Sequence, residues 1–319
     1  MKNNTTTKSM KNTKQKHVLK TLSIGIPAHN EEATLPSLIS SIAQQKHTLF
    51  TLENVYILND ASTDNTVELA NSLSKKYPFV HLVNDGQRLG KAARLNALYK
   101  ANKSDILVCF DGDIQLTSNR VLEEMVKALD DKDVALATTN KLPHTPINFF
   151  EKLIYTLDML WYDIRLTLNG GDNVYNVAAS GIGINGTFAK TLKLPAGTSF
   201  DAEILFISAL RKYKKTVFLK DVPIYFHLPA NLADYISQSS RVASPETRKI
   251  INSANEIYVV PNSLKIKAII KSFAKHPILT PLSFALLYYV RRMKKKHGKV
   301  SKTPYWDTAA STKRAFTAQ

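Results

Sequence analysis

Short apolar runs rich in β-branched residues alternate with segments of helical periodicity between residues 21 and 138, and this alternation constrains the fold more than any other feature. The runs predicted to be strands are Thr21–Ile26, Val55–Leu58, Val80–Val83, Ile106–Phe110 and Val134–Thr138. The segments predicted to be helices are Glu32–Gln45, Asn65–Lys76, Lys91–Ala101 and Asn119–Leu129. Such alternation predicts a Rossmann-like α/β fold, with a mostly parallel sheet and helices on both faces.

Beyond Lys141 the alternation becomes irregular. A helix rich in Tyr, Leu and Trp is predicted near Phe149–Leu168, and a loop rich in Gly, Asn and Ser is predicted from Asn169 to Gly186. Ligands of parallel sheets bind at the carboxyl ends of the strands. We therefore look for functional residues where the first, second and fourth strands end.

The positive charge of the chain is concentrated at its two ends. The formal net charge is +17, the first acidic residue is Glu31, and no acidic residue occurs between Ser263 and Lys302. Nucleic acid, anionic lipid and phosphorylated substrates are all partners that such a charge favours. No nucleic-acid partner is expected, because we find neither a nucleic-acid-binding motif nor a surface of interleaved aromatic and basic residues. Cys109, the only cysteine, excludes a disulfide framework.

The C-terminal region combines this charge with apolar residues at helical spacing. Ile266, Ile269, Ile270 and Phe273 share one helical face with lysines between them. The apolar stretch Pro277–Val290 is shorter than the roughly 20 residues that a helix needs to span a bilayer. The pattern favours a helix lying on an anionic membrane surface. A helix packed on the catalytic domain with a solvated basic face is the alternative.

Two acidic residues directly follow the fourth predicted strand, at Asp111-Gly112-Asp113. Gly112 allows the chain to turn both carboxylates into the same crevice. Carboxylate oxygens suit Mg²⁺ or Mn²⁺, and Gln115 can add an amide oxygen. The sequence therefore predicts a divalent-metal site at Asp111, Asp113 and Gln115.

Asp60 ends the second predicted strand, where its carboxylate can accept hydrogen bonds from a base or a ribose. The following Ser62, Thr63 and Asp64 are interpreted as turn and helix-capping residues. The segment Gly86–Lys91 is not a phosphate-binding P-loop, because it has one residue too few between its glycines and Ala92 in place of Ser or Thr.

In this order, the segments PAHNEE, NDASTDNT, LGKAARLNAL and FDGDIQ resemble the family 2 glycosyltransferases of the GT-A fold. The last segment is similar to the D-x-D-x-Q ligand set of the polyprenyl-phosphate mannose synthases in that family. The resemblance implies that the donor nucleotide is held by Pro27, Ala28, Asn30, Glu32 and Asp60. It places Lys91, Asp111 and Gly112 on the ribose and sugar side, and Asp113 on the metal.

The resemblance extends to the acceptor side. Asp201 stands where the family has an acidic acceptor motif and is our candidate for the general base, although Phe200 replaces the first acid of that motif. Glu203 is a rival base. Gln238 and Arg241 resemble the family's Q-x-x-R-W motif, with Val242 in place of the tryptophan, which argues against processive polymer synthesis.

We therefore expect an inverting, metal-dependent glycosyltransferase of the hexosyltransferase type, using Mg²⁺ or Mn²⁺ and a UDP- or GDP-sugar donor. The expected acceptor is lipid-linked or a glycan of the cell envelope. The expected location is cytoplasmic, peripheral on the inner face of the cell membrane. A metal-dependent nucleotidyltransferase and a noncatalytic basic nucleic-acid-binding protein are the alternatives.

The chain is divided accordingly. Residues 1–20 are predicted to be a disordered basic tail, and residues 21–262 a GT-A catalytic domain. In that domain, residues 21–140 form the nucleotide-binding half and residues 141–262 the acceptor half. Residues 263–319 are predicted to be a helical, basic, amphipathic and membrane-proximal extension.

Overall fold

The computed structural model describes residues 19–198, 200–212, 214–239, 258–297 and 309–316, together with Lys249 and Asn252. Its strands are β1 (Lys20–Ala28), β2 (Phe50–Asn59), β3 (Val80–Val83), β4 (Ile106–Phe110), β5 (Ile114–Leu116), β6 (Val134–Pro143), β7 (Gly181–Asn185) and β8 (Lys215–Phe226). The helices in these ranges are α1 (Leu35–Ala43), α2 (Thr66–Lys76), α3 (Lys91–Ala101), α4 (Val121–Ala128), α5 (Phe149–Thr167), α6 (Gly186–Ala189), α7 (Asp201–Arg211), α8 (Leu232–Ser239), α9 (Asn262–Lys275) and α10 (Leu279–His297).

The strands form one eight-stranded sheet in the order β3-β2-β1-β4-β7-β6-β8-β5. Strands β1, β2, β3 and β4 are parallel where they pair with one another, and β6 is parallel to β8. Strand β7 runs antiparallel to both β4 and β6, and β5 runs antiparallel to β8. Each of the five predicted strands is present, and β2 and β6 extend beyond the predicted bounds. The predicted mostly parallel α/β sheet is confirmed.

Apolar cores cover both faces of the sheet. On one face, the apolar side of α1 packs with Met125 of α4 against β1 and β4. On the other face, Leu95 and Leu98 of α3 pack with Phe206 of α7. Burial on both faces explains why the central strands are almost wholly apolar in sequence.

The predicted loop from Asn169 to Gly186 is wrong for Gly181–Asn185, which form the central strand β7. Two glycines conceal this strand in the sequence, because glycine is depleted in strands. The tertiary structure requires them. A Cβ on Gly181 would lie 2.3 Å from Thr139 Oγ1, and one on Gly183 would lie 3.0 Å from Leu129 Cδ1.

Helices α9 and α10 lie against α5. Ala268 and Val290 are buried there, and Lys271 Nζ lies 2.7 Å from Asp163 Oδ1. The C-terminal helices therefore brace the domain with one face. In the part of the chain that the structure describes, no helix is long and apolar enough to cross a bilayer.

Candidate active site

A cavity of about 490 Å³ opens at the carboxyl ends of β1, β2 and β4. Its volume lies in the range usual for sites that bind small molecules and cofactors. The predicted site residues that line it are Pro27, Ala28, Asp60, Lys91, Asp111, Gly112, Asp113, Asp201, Glu203 and Gln238. Residues predicted from both halves of the domain therefore meet in one cavity.

The segment Asp111-Gly112-Asp113 connects β4 to β5 and lies in the cavity wall. Gly112 is needed there for space, since a Cβ would lie 2.8 Å from the Cγ of Glu31. The chain turns at Gly112 and Asp113, and both Asp111 and Asp113 line the cavity. The backbone of Gly112 is not left-handed, so the need for glycine here is one of space. Close approach of Glu31 brings a third acidic side chain to the Asp-Gly-Asp segment.

Lys91 joins the two halves of the site. Its Nζ lies 2.6 Å from Asp111 Oδ1 and 2.8 Å from Asp201 Oδ2. Burial alone would lower the pKa of Lys91, but the two carboxylates outweigh burial and raise the pKa well above its usual value. Lys91 is thus a fixed cation between the Asp-Gly-Asp segment and the candidate base.

Glu31 is 6% exposed and interacts with a residue from the far end of the chain. Burial, and after it the charge of Asp113, raise the pKa of Glu31 to about 8, while Lys313 opposes that shift. Lys313 Nζ donates hydrogen bonds to Glu31 Oε1 and to the backbone oxygen of His29. The Asp-Gly-Asp segment therefore has an ammonium group beside it.

The donor atoms at this edge fit a hard divalent cation. Gln115 lies on β5, and its buried Oε1 accepts no hydrogen bond from the residues that the structure describes. Gln115 itself does not line the cavity. Among the described residues, no group of three or more His, Cys, Asp or Glu side chains is arranged around a common point. Mg²⁺ needs no such cage, because it usually binds one or two carboxylates together with substrate phosphates and waters.

Asp60 organises the loop before α3. Its carboxylate accepts hydrogen bonds from Leu89 N at 2.8 Å, Gly90 N at 2.9 Å and Arg94 Nε at 3.2 Å. Arg94 in turn forms a two-pronged pair with Asp85, at 2.8 and 2.7 Å. Asp60 lines the cavity as predicted, but much of its hydrogen-bonding capacity holds the residues that lead to Lys91.

Asn30 and Glu32, predicted to hold the nucleotide, do not line the cavity. Asn30 Oδ1 accepts the hydrogen bond of Thr63 N at 2.8 Å, and Glu32 Oε2 accepts that of Asn65 N at 3.0 Å. These contacts join the ends of β1 and β2. The predicted turn and capping roles of the residues around Asp64 agree with this arrangement, since Asp64 Oδ1 accepts from Thr66 N.

The acceptor half contributes charged and aromatic residues that the sequence did not single out. The charged and aromatic cavity residues from this half that sequence reasoning missed are Lys141, Asp158, Trp161, Arg165, Tyr175, Phe226 and His227. Burial raises the pKa of Asp158, and burial followed by the charge of Asp201 raises that of Glu203. Arg241 lies outside the described residues.

Among these missed residues, the rings of Trp161 and Tyr175 meet edge to face at 5.1 Å between centroids. Their only sequence signal was the aromatic content around α5. Glu31 belongs to the PAHNEE segment, but only its neighbours in that segment were predicted to be site residues. Lys313 had no sequence signal at all.

Comparison with known proteins matches residues 23–183, half of the chain, to the model described as glycosyl transferase family 2. A dolichyl-phosphate beta-glucosyltransferase of Trichomonas vaginalis is 31% identical over 128 residues, which cover 38% of this chain and 38% of the relative. A 4,4'-diaponeurosporenoate glycosyltransferase of Staphylococcus haemolyticus is 34% identical over 110 residues, which cover 34% of this chain and 28% of the relative. The matches thus span about a third of these curated relatives.

Two solved structures share the fold at low identity. The mannosyltransferase of Pyrobaculum calidifontis in complex with GDP-Man and Mn²⁺ has a TM-score of 0.58 at 16% identity, covering 89% of this chain and 77% of the other. The glucosyl-3-phosphoglycerate synthase of Mycobacterium tuberculosis with Mn²⁺, UDP and phosphoglyceric acid has a TM-score of 0.52 at 19% identity, covering 76% and 80%. The predicted GT-A fold is confirmed.

Proposed function

The chain belongs to glycosyl transferase family 2, and from that premise we propose that it is an inverting, metal-dependent hexosyltransferase of the cell envelope. It transfers a sugar from a UDP- or GDP-sugar to a lipid-linked or glycan acceptor. The observation that carries the proposal is the Lys91 bridge, in which one ammonium pairs with both the Asp111 carboxylate and the candidate base Asp201. Membership of the family disfavours the nucleotidyltransferase and nucleic-acid-binding alternatives.

The donor is proposed to lie along the edge formed by the ends of β1, β2 and β4. Pro27, Ala28 and Asp60 line the nucleotide side of the cavity, and Lys91, Asp111 and Gly112 line the sugar side. Two solved structures of the same fold are complexes that contain Mn²⁺, one with GDP-Man and the other with UDP. A nucleotide-sugar donor is therefore the substrate class that the fold and the cavity favour.

Asp113 and Gln115 would hold the cation, with Asp111 shared between the cation and Lys91. Bound there, Mg²⁺ or Mn²⁺ supplies positive charge for the diphosphate that leaves the sugar. The Asp-Gly-Asp segment in the cavity wall is the feature that fits such an ion, whereas the unpaired Oε1 of Gln115 lies outside the lining of the cavity. The remaining residues orient the donor and handle the acceptor proton.

Displacement at the anomeric carbon passes through an oxocarbenium-like state, as in glycoside hydrolysis. Asp201 is proposed to accept the proton of the acceptor hydroxyl while the acceptor attacks opposite the leaving group, which inverts the anomeric centre. Lys91 holds the Asp201 carboxylate 2.8 Å from its Nζ and keeps it oriented. Gln238 and Arg241 remain proposed to act near the acceptor and the diphosphate.

Lys141 and Arg165 place two cations on the acceptor side of the cavity, together with the acids Asp158, Asp201 and Glu203. Such cations suit an acceptor that carries a phosphate. A phosphate oxygen is already a nucleophile and needs no base, so Asp201 would then orient the acceptor. One curated relative of the chain is named for dolichyl phosphate. A lipid-linked acceptor is therefore favoured over a free glycan.

Attachment to the inner, cytoplasmic face of an anionic membrane is proposed for α9 and α10. Ile266 and Ile270 are 57% and 64% exposed, next to the exposed Lys265 and Lys267. Apolar residues flanked by lysines suit the interface of an anionic bilayer. These helices contact α5 with one face. The face that carries Ile266 and Ile270 with the neighbouring lysines therefore remains available to a membrane surface.

A donor panel tests the proposal. Release of nucleoside diphosphate is measured from UDP-glucose, UDP-galactose, GDP-mannose and GDP-glucose, each with Mn²⁺, with Mg²⁺ and with EDTA. We expect release from one nucleotide class, dependent on the cation and accelerated by polyprenyl phosphate. Failure to bind or turn over any of the four donors would contradict the proposed function.

A further inference from the structure

The C-terminal strap, defined as residues 309–316, lies across the active-site cavity although it is far from the site in sequence. The backbone N–H of Ser311 donates to Asp234 Oδ2 at 2.8 Å, and Ser311 Oγ accepts from Ala230 N at 2.9 Å. Arg314 Nη1 lies 2.7 Å from Glu151 Oε1. These contacts fix the strap to α5, to α8 and to the segment before α8.

The end of the strap is fixed by a ring contact as well. Phe316 stacks on His227 with 4.4 Å between ring centroids and 14° between ring planes. With polar contacts at Ser311 and Arg314 and a stacked ring at Phe316, the strap is held on both sides of Lys313. The position of the Lys313 side chain is therefore set by tertiary structure.

That position is inside the cavity. Ala309, Thr312 and Lys313 line it, and the Lys313 side chain is only 14% exposed. Its ammonium donates to the backbone oxygen of His29 at 2.6 Å and to the carboxylate of Glu31. Glu31 packs against Gly112, so the ammonium stands beside the segment proposed to hold the cation.

Three of the five lysine and arginine side chains that line the cavity differ in the groups that compensate their charge. Lys91 lies between two carboxylates, those of Asp111 and Asp201. Arg165 donates to Asn176 Oδ1 and to the backbone oxygen of Lys141. Lys313 has one described carboxylate partner, Glu31, and its ammonium stands at the donor edge of the cavity beside the Asp-Gly-Asp segment. A diphosphate bound at that edge can therefore pair with this ammonium as well.

We propose that the strap is part of the donor site and that Lys313 binds the diphosphate of the nucleotide sugar. This inference rests on the proposed function and adds a diphosphate ligand that no sequence motif carries. The diphosphate is the group that accumulates negative charge as the sugar leaves. A lysine at this edge binds it as a point charge, in the way lysines bind phosphates elsewhere.

The test is nucleotide binding in Mn²⁺ by calorimetry, with UDP, GDP, UMP and GMP as probes and the full chain as the protein. Lys313→Met keeps the length of the side chain and removes the charge, and Lys313→Arg keeps the charge. Lys75→Met, at an exposed position on α2, is the matched control. Thermal unfolding of each variant shows whether the strap and the domain remain folded.

The unchanged protein should prefer one of the two diphosphates, UDP or GDP. We expect Lys313→Met to bind that diphosphate about 10- to 100-fold more weakly, the usual worth of a hydrogen bond to a charged group. Binding of the corresponding monophosphate should change less than about twofold, and Lys313→Arg should recover most of the loss. Unchanged diphosphate binding, equal weakening of both nucleotides, or tighter binding by Lys313→Met would overturn the inference. Tighter binding would mean that the ammonium competes with the cation. If the unchanged protein binds none of the four nucleotides, the proposed function itself is wrong.

Discussion

The nucleotide-binding half and the acceptor half of the domain build their parts of the cavity in different ways. In the first half, most functional residues lie at the ends of β1, β2 and β4, and contacts within that half, such as Asp60 with Gly90, hold them. In the second half, Asp201 begins α7 and His227 follows β8, while Lys313 of the C-terminal strap reaches the donor edge from outside both halves. Strand ends therefore position the donor side, whereas long-range packing positions the acceptor side. The two halves meet at Lys91.

The largest effect is expected on the donor side, from removal of the cation ligand. Asp113→Asn should lower transfer by about 10³-fold or more, because a metal ion contributes several kcal/mol of charge stabilisation. The measurement is the rate of nucleoside diphosphate release with Mn²⁺. EDTA should reduce the unchanged protein to a similar rate. Asp133→Asn, at an exposed position, is the matched control. Full turnover in EDTA would show that the two halves work without a metal.

On the acceptor side, Asp201→Asn should lower kcat by about 10²-fold or more, the usual worth of general base catalysis. The KM for the donor should change little, since the change lies beyond the nucleotide. Initial rates measured against both substrates check this. A larger loss of kcat in Glu203→Gln than in Asp201→Asn would identify Glu203 as the base. Activity in both variants would favour a phosphate acceptor.

The pH–rate profile sharpens the choice between these two acids. Burial, and then the charge of Asp201, raise the pKa of Glu203 above its usual 4.5. A general base must be deprotonated to act. As the pH is lowered, an enzyme whose base has a raised pKa therefore begins to lose activity at a higher pH than one whose base has an ordinary pKa. If Glu203 is the base, Asp201→Asn should shift this acidic limb to lower pH, because one source of the raised pKa is removed. An unmoved limb would exclude Glu203.

A smaller effect is expected at the strand that joins the two halves. Gly181→Ala should destabilise the fold by about 1–3 kcal/mol, the usual cost of overpacking a core. The added Cβ would meet Thr139 Oγ1 at 2.3 Å and Ile224 Cδ1 at 2.6 Å. Gly183→Ala is the control, because its nearest neighbour is the end of the Leu129 side chain at 3.0 Å. Free energies of unfolding in urea should show the larger loss for Gly181→Ala.

The smallest effect per residue is expected outside the cavity, on the exposed face of α9. Lys265→Ala and Lys267→Ala should each weaken binding to anionic vesicles by about 1 kcal/mol, and added salt should reduce the difference. Ile266→Ser with Ile270→Ser should remove the binding that survives at high salt. Cosedimentation with phosphatidylglycerol and phosphatidylcholine vesicles measures both. Equal binding to the two lipids, or none, would leave α9 and α10 with the bracing role alone.

The sequence by itself determined the alternation of strands and helices and the strand-end acids of the nucleotide-binding half. Both are local signals, because apolar periodicity and the residues after a strand are set within a few positions of the chain. The run Ile106–Phe110 followed by Asp111 and Asp113 was readable in this way. The structure confirms that run as β4 and places both acids in the cavity.

Only the tertiary structure decided which strand lies at the centre of the sheet and which distant residues reach the cavity. Thr139 and Ile224 leave no room for a side chain at Gly181, and Leu129 limits the space at Gly183. The segment Gly181–Asn185 therefore resembles a loop in sequence although it forms a strand. Lys313 reaches Glu31, which precedes it by 282 positions, because the strap is held by α5 and by the segment leading to α8. Contacts over such separations depend on the packing of the whole domain, and local sequence carries no record of them.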